Sequence, residues 1–75
     1  MAEMLAKELI NVTVNGEPRT IGAGSSIAAM LEEIGIDPRK VAVEHNLEVV
    51  PRSTLADIRV SDGDSFEIVH FVGGG

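Results

Sequence analysis

From Leu9 onward, apolar and polar residues interleave through Leu9-Ile10-Asn11-Val12-Thr13-Val14 and then meet Asn15-Gly16. Alternation with β-branched residues predicts a strand, and Asn-Gly supplies the two left-handed positions of a type I′ turn, so a hairpin returns over 17–21. Pro18 has no N–H to donate, which places it near the start of that strand or on a sheet edge. Gly22-Ala23-Gly24 breaks the pattern, and Ser25 or Ser26 offers a hydroxyl to cap the next helix. Ile27, Met30, Leu31 and Ile34 recur at i, i+3, i+4 and i+7, the stripe of one amphipathic helix with Glu32 and Glu33 on its outer side. Gly35 provides a left-handed stop and Pro38 forbids continuation.

The second half is extended again. Lys40 to Glu44 reads as a strand that sends Val41 and Val43 inward, a turn at His45-Asn46 leads into the short strand Glu48-Val49-Val50, and Pro51 ends it. Residues 52–60 carry Leu55, Ile58 and Val60 in irregular or single-turn structure, and Ser61-Asp62-Gly63-Asp64 makes the last turn. In the final strand, 65–72, Phe66 and Ile68 share one face while Glu67, Val69 and Phe71 share the other. Glu67 is too costly to bury unpaired, so Phe66 and Ile68 face the core and Val69 and Phe71 lie outside.

Strand, strand, helix, strand, strand, strand is the order of an α+β domain in which one helix covers one face of a mixed sheet of four to five strands, the β-grasp. The expected organisation is an N-terminal extension over 1–8, a single domain over 9–72 and a flexible Gly73-Gly74-Gly75 tail.

Composition narrows the chemistry. At 75 residues a single domain buries only about 60% of its unfolded surface. With Phe66 and Phe71 as the only aromatics, small aliphatic side chains must fill the core. The absence of cysteine excludes disulfides, thiolate metal sites and thiol catalysis, and fits a reducing compartment. The 12 acids and 6 bases give a net charge of −6, which repels phosphate backbones and argues against nucleic acid as a partner. No stretch approaches the roughly 20 apolar residues of a membrane span, and Met1 to Glu8 lacks the basic start and apolar run of a signal peptide. The sequence is read as a soluble, cytoplasmic monomer.

Candidate sites are few. His45 and His70 lack cysteine or a paired carboxylate in sequence and are read as surface histidines, with no metal site. Asp62 and Asp64 flank Gly63 without the calcium-loop pattern and are read as turn residues. Gly22 and Gly24 lack the lysine and second spacing of a phosphate loop, so no nucleotide or other cofactor is expected on this chain. Glu67, Val69, Phe71 and Val72 form the candidate docking patch, framed by Glu44, Asp62 and Asp64, which would meet basic residues of a partner. Three glycines have no Cβ to obstruct a narrow tunnel, so another protein's active site could close around Gly73 and Gly74 and reach the carboxylate of Gly75.

The segments Val14-Asn15-Gly16-Glu17, Val41-Ala42-Val43-Glu44-His45-Asn46, Val50-Pro51-Arg52 and Gly63-Asp64, followed by Phe66 to Gly75, resemble the ThiS family of ubiquitin-like sulfur carriers in thiamine thiazole synthesis. The resemblance runs from about Ile10 to Gly75. It implies a protein cosubstrate rather than an enzyme. An E1-like, ThiF-like partner would use ATP to adenylate the Gly75 carboxylate, a sulfur donor would convert the adenylate to a thiocarboxylate, and a ThiG-like thiazole synthase would receive the sulfur. The residues leave two alternatives open: a carrier for another sulfur pathway, such as molybdopterin synthesis or tRNA thiolation, and a ubiquitin-like binding module with an inert tail.

Overall fold

The structure, a computed structural model, describes residues 8–71; the expectations for the N-terminal extension before Glu8 and for Val72 to Gly75 lie outside the described residues. Strand β1 (Leu9–Val14) turns through Asn15 and Gly16, both at positive φ, into antiparallel β2 (Glu17–Gly22). Helix α1 (Ile27–Glu33) then crosses over to β3 (Val41–His45), β4 (Glu48–Val50) and β5 (Ser65–His70). The five strands lie in the order β2-β1-β5-β3-β4. The central pair, β1 with β5, is parallel and the other pairs are antiparallel, so the sheet is mixed, as the element order predicts. Pro18 sits second in β2, an edge strand, where its missing N–H matters least.

Ser26 is the residue that caps α1: its Oγ accepts the Ala29 N–H at 3.0 Å, while Ser25 Oγ donates to Gly22 O at 2.9 Å. Two more N–H groups at the helix start, those of Ile27 and Ala28, donate to Ile58 O and Leu55 O, both at 2.9 Å. The irregular segment after β4 therefore satisfies the donors that a helix start leaves over. Ile27, Met30 and Leu31 are fully buried against Val12, Val14, Val41, Val43, Phe66 and Ile68 of the sheet. Each such side chain contributes about 1.5–3 kcal/mol by leaving water. Gly35, at φ +89°, ends the helix as its sequence position predicts, with Ile36 N–H returning to Leu31 O at 2.8 Å.

Two local expectations are corrected. Pro38 does more than stop the helix: it opens a 3-10 turn over Pro38–Lys40, capped by Asp37, whose Oδ1 accepts the Arg39 N–H at 2.9 Å. The β3–β4 turn is one residue later than predicted. His45 stays in the ladder opposite Phe66, and the two left-handed positions fall on Asn46 (φ +52°) and Leu47 (φ +73°).

Candidate functional site

Among the described residues nothing covers the face of the sheet away from α1, and β5 runs along it. Phe66 and Ile68 are buried under the helix, whereas Val69 and Phe71 are 64% and 56% exposed on the other side with Glu67. The pleat alone forces this division, since successive side chains point to opposite faces. Pairing with β3 sets Glu44 opposite Glu67 and Ala42 opposite Val69, and β4 adds Val49 beside Glu44. These five residues line a shallow, mostly apolar groove. Two carboxylates facing each other across a strand pair repel, so this end of the groove favours an incoming cation.

The root of the C-terminal segment is Phe71. Its N–H donates to Lys40 O at 3.0 Å, and the Arg52 guanidinium carbon lies 5.0 Å from the centre of its ring. The predicted docking residue Val72 and the tail Gly73-Gly74-Gly75 lie outside the described residues.

Asp62 and Asp64 do not frame this patch, contrary to the expectation from sequence. They stand at the start of β5, and the tail leaves from its other end. Asp62 Oδ1 accepts the Asn11 N–H at 2.8 Å. Asp64 accepts the Ser61 N–H at 2.8 Å and the Asn46 amide at 3.1 Å, and pairs with His45 Nε2 at 2.8 Å. Burial on its own would raise the Asp64 pKa, but the hydrogen bonds from Ser61, His45 and Asn46 outweigh it and hold the carboxyl below its usual range. His45 is therefore no simple surface histidine. It is half-buried, bonded to a carboxylate 19 positions away, and its ring stacks on Phe66 with centroids 4.8 Å apart. His70 is exposed, as expected. Asn46 completes the cluster by accepting the Ser65 N–H at 2.9 Å. The cluster ties the β3–β4 turn to the start of β5, and among the described residues no buried side-chain nitrogen or oxygen lacks a hydrogen-bond partner. Among the described residues, no three His, Asp or Glu side chains gather in metal-binding geometry, and no helix is long and apolar enough to cross a membrane.

Sequence reasoning missed Lys40 and Arg52. Arg52 stands in the Val50-Pro51-Arg52 segment, but nothing in that segment gives it a role, and it reaches Phe71 only because β4 and the turn after it fold back along the sheet edge.

The model of the ThiS family matches residues 12–75. A thiazole synthase of Paramagnetospirillum magneticum is 52% identical over 66 residues, which are 88% of this chain and 20% of that protein, so the chain spans about a fifth of that relative's length. The sulfur carrier protein ThiS of Thermus thermophilus is 38% identical over 64 residues, covering 85% of this chain and 98% of that one. Among solved structures, the crystal structure of a thiamine biosynthesis protein (ThiS) from Geobacter metallireducens aligns with a TM-score of 0.74 at 35% identity, covering 88% of this chain and all (100%) of the other.

Proposed function

Because the chain belongs to the ThiS family, we propose that it is a sulfur carrier of thiamine biosynthesis, a cytoplasmic protein cosubstrate that works as a monomer and carries sulfur on Gly75. The observation that carries this reading is that the family match runs through Gly73-Gly74-Gly75. With no cysteine in the sequence, a carboxylate on Gly75 is the group proposed to hold transferable sulfur.

A carboxylate resists nucleophilic attack because its charge is delocalised over both oxygens. In the proposed reaction a ThiF-like, E1-like partner binds ATP, a Gly75 oxygen attacks the α-phosphorus and pyrophosphate leaves. A persulfide sulfur of the donor system then attacks the carbonyl carbon and AMP leaves. A second thiol of the donor cleaves the S–S bond, releasing the thiocarboxylate and leaving a donor disulfide. The thiocarboxylate is a soft nucleophile at neutral pH and delivers sulfur to an electrophilic carbon on a thiazole synthase. That partner is supported by the Paramagnetospirillum relative, a protein named thiazole synthase that holds a segment similar to this chain within one polypeptide.

The folded domain contributes position. Phe66 and Ile68 anchor β5 in the core, so the root of the tail is held while Glu67, Val69 and Phe71 are offered to the partner, and Val72 is the fourth docking residue of the proposal. ATP belongs to the partner, and the carrier holds no cofactor of its own.

Intact mass spectrometry after incubation with a ThiF-like enzyme, ATP and a persulfide donor tests the proposal. Replacing oxygen by sulfur at Gly75 adds about 16 mass units, and alkylation places the change on the last residue. A chain that keeps its mass with every such enzyme is not a sulfur carrier.

A further inference from the structure

The open face is not uniformly acidic. Along β5 and its neighbour β3, the paired rows run from Glu67 opposite Glu44, through Val69 opposite Ala42, to Phe71, whose N–H is bonded to Lys40 O. Lys40, the last residue of the 3-10 turn, is set beside Phe71 by that backbone bond, and it is exposed. Arg52 adds a second cation by lying over the Phe71 ring. Glu67 and Phe71 are four residues apart, about 13 Å along a strand. Within that span the face changes from two carboxylates, through an apolar middle, to two cations around an aromatic ring.

The cations at the tail end are available for a partner. Arg39, next in sequence to Lys40, is already neutralised by Asp37 through contacts of 3.0 and 3.1 Å. Among the described residues, neither Lys40 nor Arg52 lies within ion-pair distance of a carboxylate. Both are exposed. In a chain of net charge −6, two cations with no ion-pair partner among the described residues, although Lys40 still feels the Asp37 charge, create a local field at the root of the tail opposite to that of the whole molecule.

We infer that Lys40 and Arg52 form a cationic collar around Phe71, and that the adenylating partner docks on it with carboxylate side chains at the rim of the channel that admits the tail. This rests on the carrier reading above and adds the direction of docking. The partner's basic residues meet Glu44 and Glu67, its acidic rim meets the collar, and an apolar seat between them takes Val69 and Phe71. A docked partner turned end for end would set like charges against each other at both ends of the strip, so the charge pattern selects the orientation in which the tail enters the channel. To the expectation that the acidic residues meet basic residues of a partner, the collar adds a contact of opposite sign at the end of the face nearest the chemistry.

The test is the rate of thiocarboxylate formation, read by intact mass, against carrier concentration, with a ThiF-like enzyme, ATP and a persulfide donor. Lys40→Glu and Arg52→Glu should each raise KM about tenfold with kcat nearly unchanged, because rim charges act on encounter and docking. Arg52→Lys, which keeps the charge, should recover most of the loss. Arg59→Glu makes the same change in net charge beside the helix N-cap and should leave KM near the wild-type value. Thermal melts of each variant check that the fold is intact. Wild-type KM in both collar variants, or an equal rise in Arg59→Glu, would overturn the collar while leaving the carrier reading in place. No mass gain in the wild-type chain would overturn the carrier reading, and the collar with it.

Discussion

Asn15 takes the place of a strand residue against Ile68: its Oδ1 accepts the Ile68 N–H at 2.7 Å and its Nδ2 donates to Ile68 O at 3.2 Å. The β1–β5 ladder runs from Thr13 to Val14, and Asn15 N–H still donates to Phe66 O at 2.8 Å. Where the chain turns away at Asn15, its side chain continues the pairing. One residue thus serves the left-handed turn and holds the strand that bears the tail.

Those two roles separate by substitution. Asn15→Gly keeps the positive φ and loses both bonds to Ile68, while Asn15→Ala loses the bonds and strains the turn as well. With a net value of about 0.5–1.5 kcal/mol per hydrogen bond, Asn15→Gly should lower stability by about 1–3 kcal/mol, and Asn15→Ala by about 1 kcal/mol more. Urea unfolding of both variants measures this. A glycine variant as stable as the native chain would show that the Ile68 bonds contribute nothing.

Acid should weaken the link between the β3–β4 turn and β5. The carboxyl of Asp64 has a folded-state pKa below its ordinary 3.8, so its contribution is present above that value and lost as pH falls through the folded pKa. Asp64→Asn should reduce stability at neutral pH by about 1–3 kcal/mol, and the difference from the native chain should shrink between about pH 5 and pH 2. Asp37, held at about 2 by the Arg39 side chain and then the Arg39 N–H, adds a second acid-sensitive group that this substitution leaves in place. Urea midpoints across pH give the comparison, and a difference that stays constant down to pH 2 would refute the ionic role of Asp64.

Leu47 holds φ +73° at the turn between β3 and β4 with its side chain 86% exposed. A left-handed non-glycine residue costs about 1–2 kcal/mol, and glycine returns about 0.5–1 kcal/mol of that through its looser unfolded chain. Leu47→Gly should therefore stabilise the protein by about 0.5–1 kcal/mol, a rise of several degrees in Tm for a domain of this size. A lower Tm would mean that the exposed leucine makes contacts that outweigh its backbone strain.

Phe66 and Phe71 occupy opposite faces, 1% against 56% exposed. Phe66→Ala should cost about 3–5 kcal/mol through the cavity it leaves under α1. Phe71→Ala should change stability little and weaken docking to the adenylating partner instead. Calorimetry of the two variants, paired with partner titrations, separates the effects; equal losses of Tm would contradict the face assignment.

The proposed chemistry also predicts sensitivity at the tail. An added alanine after Gly75 would move the reactive carboxylate by about 3.3–3.6 Å, against a tolerance near 1 Å before rates fall about 10²-fold. That chain should fold normally and acquire no sulfur. Thiolation at the native rate would rule out Gly75 as the group presented to ATP.

Local physics made much of this protein legible in its sequence. Asn15-Gly16, Gly35 and the alternation through Phe66 to Phe71 each report a conformation or a face that the residues impose on themselves, since turn geometry, helix period and pleat depend on near neighbours alone. The helix stripe and the two faces of β5 arise from the same short-range rules. Tertiary structure decided the features those rules cannot reach. Asp64 left the docking patch and became the partner of His45 because β3 and β5 align the ends of segments 19 residues apart, and the turn shifted to Asn46-Leu47 because His45 is stacked on Phe66. Arg52 came to lie over Phe71, and Lys40 beside it, only when β4 and the turn after it folded back against the last strand. Spacing along the chain records contacts made within a turn or a strand pleat; the charges that meet across a sheet edge are brought together by packing, and no local period encodes them.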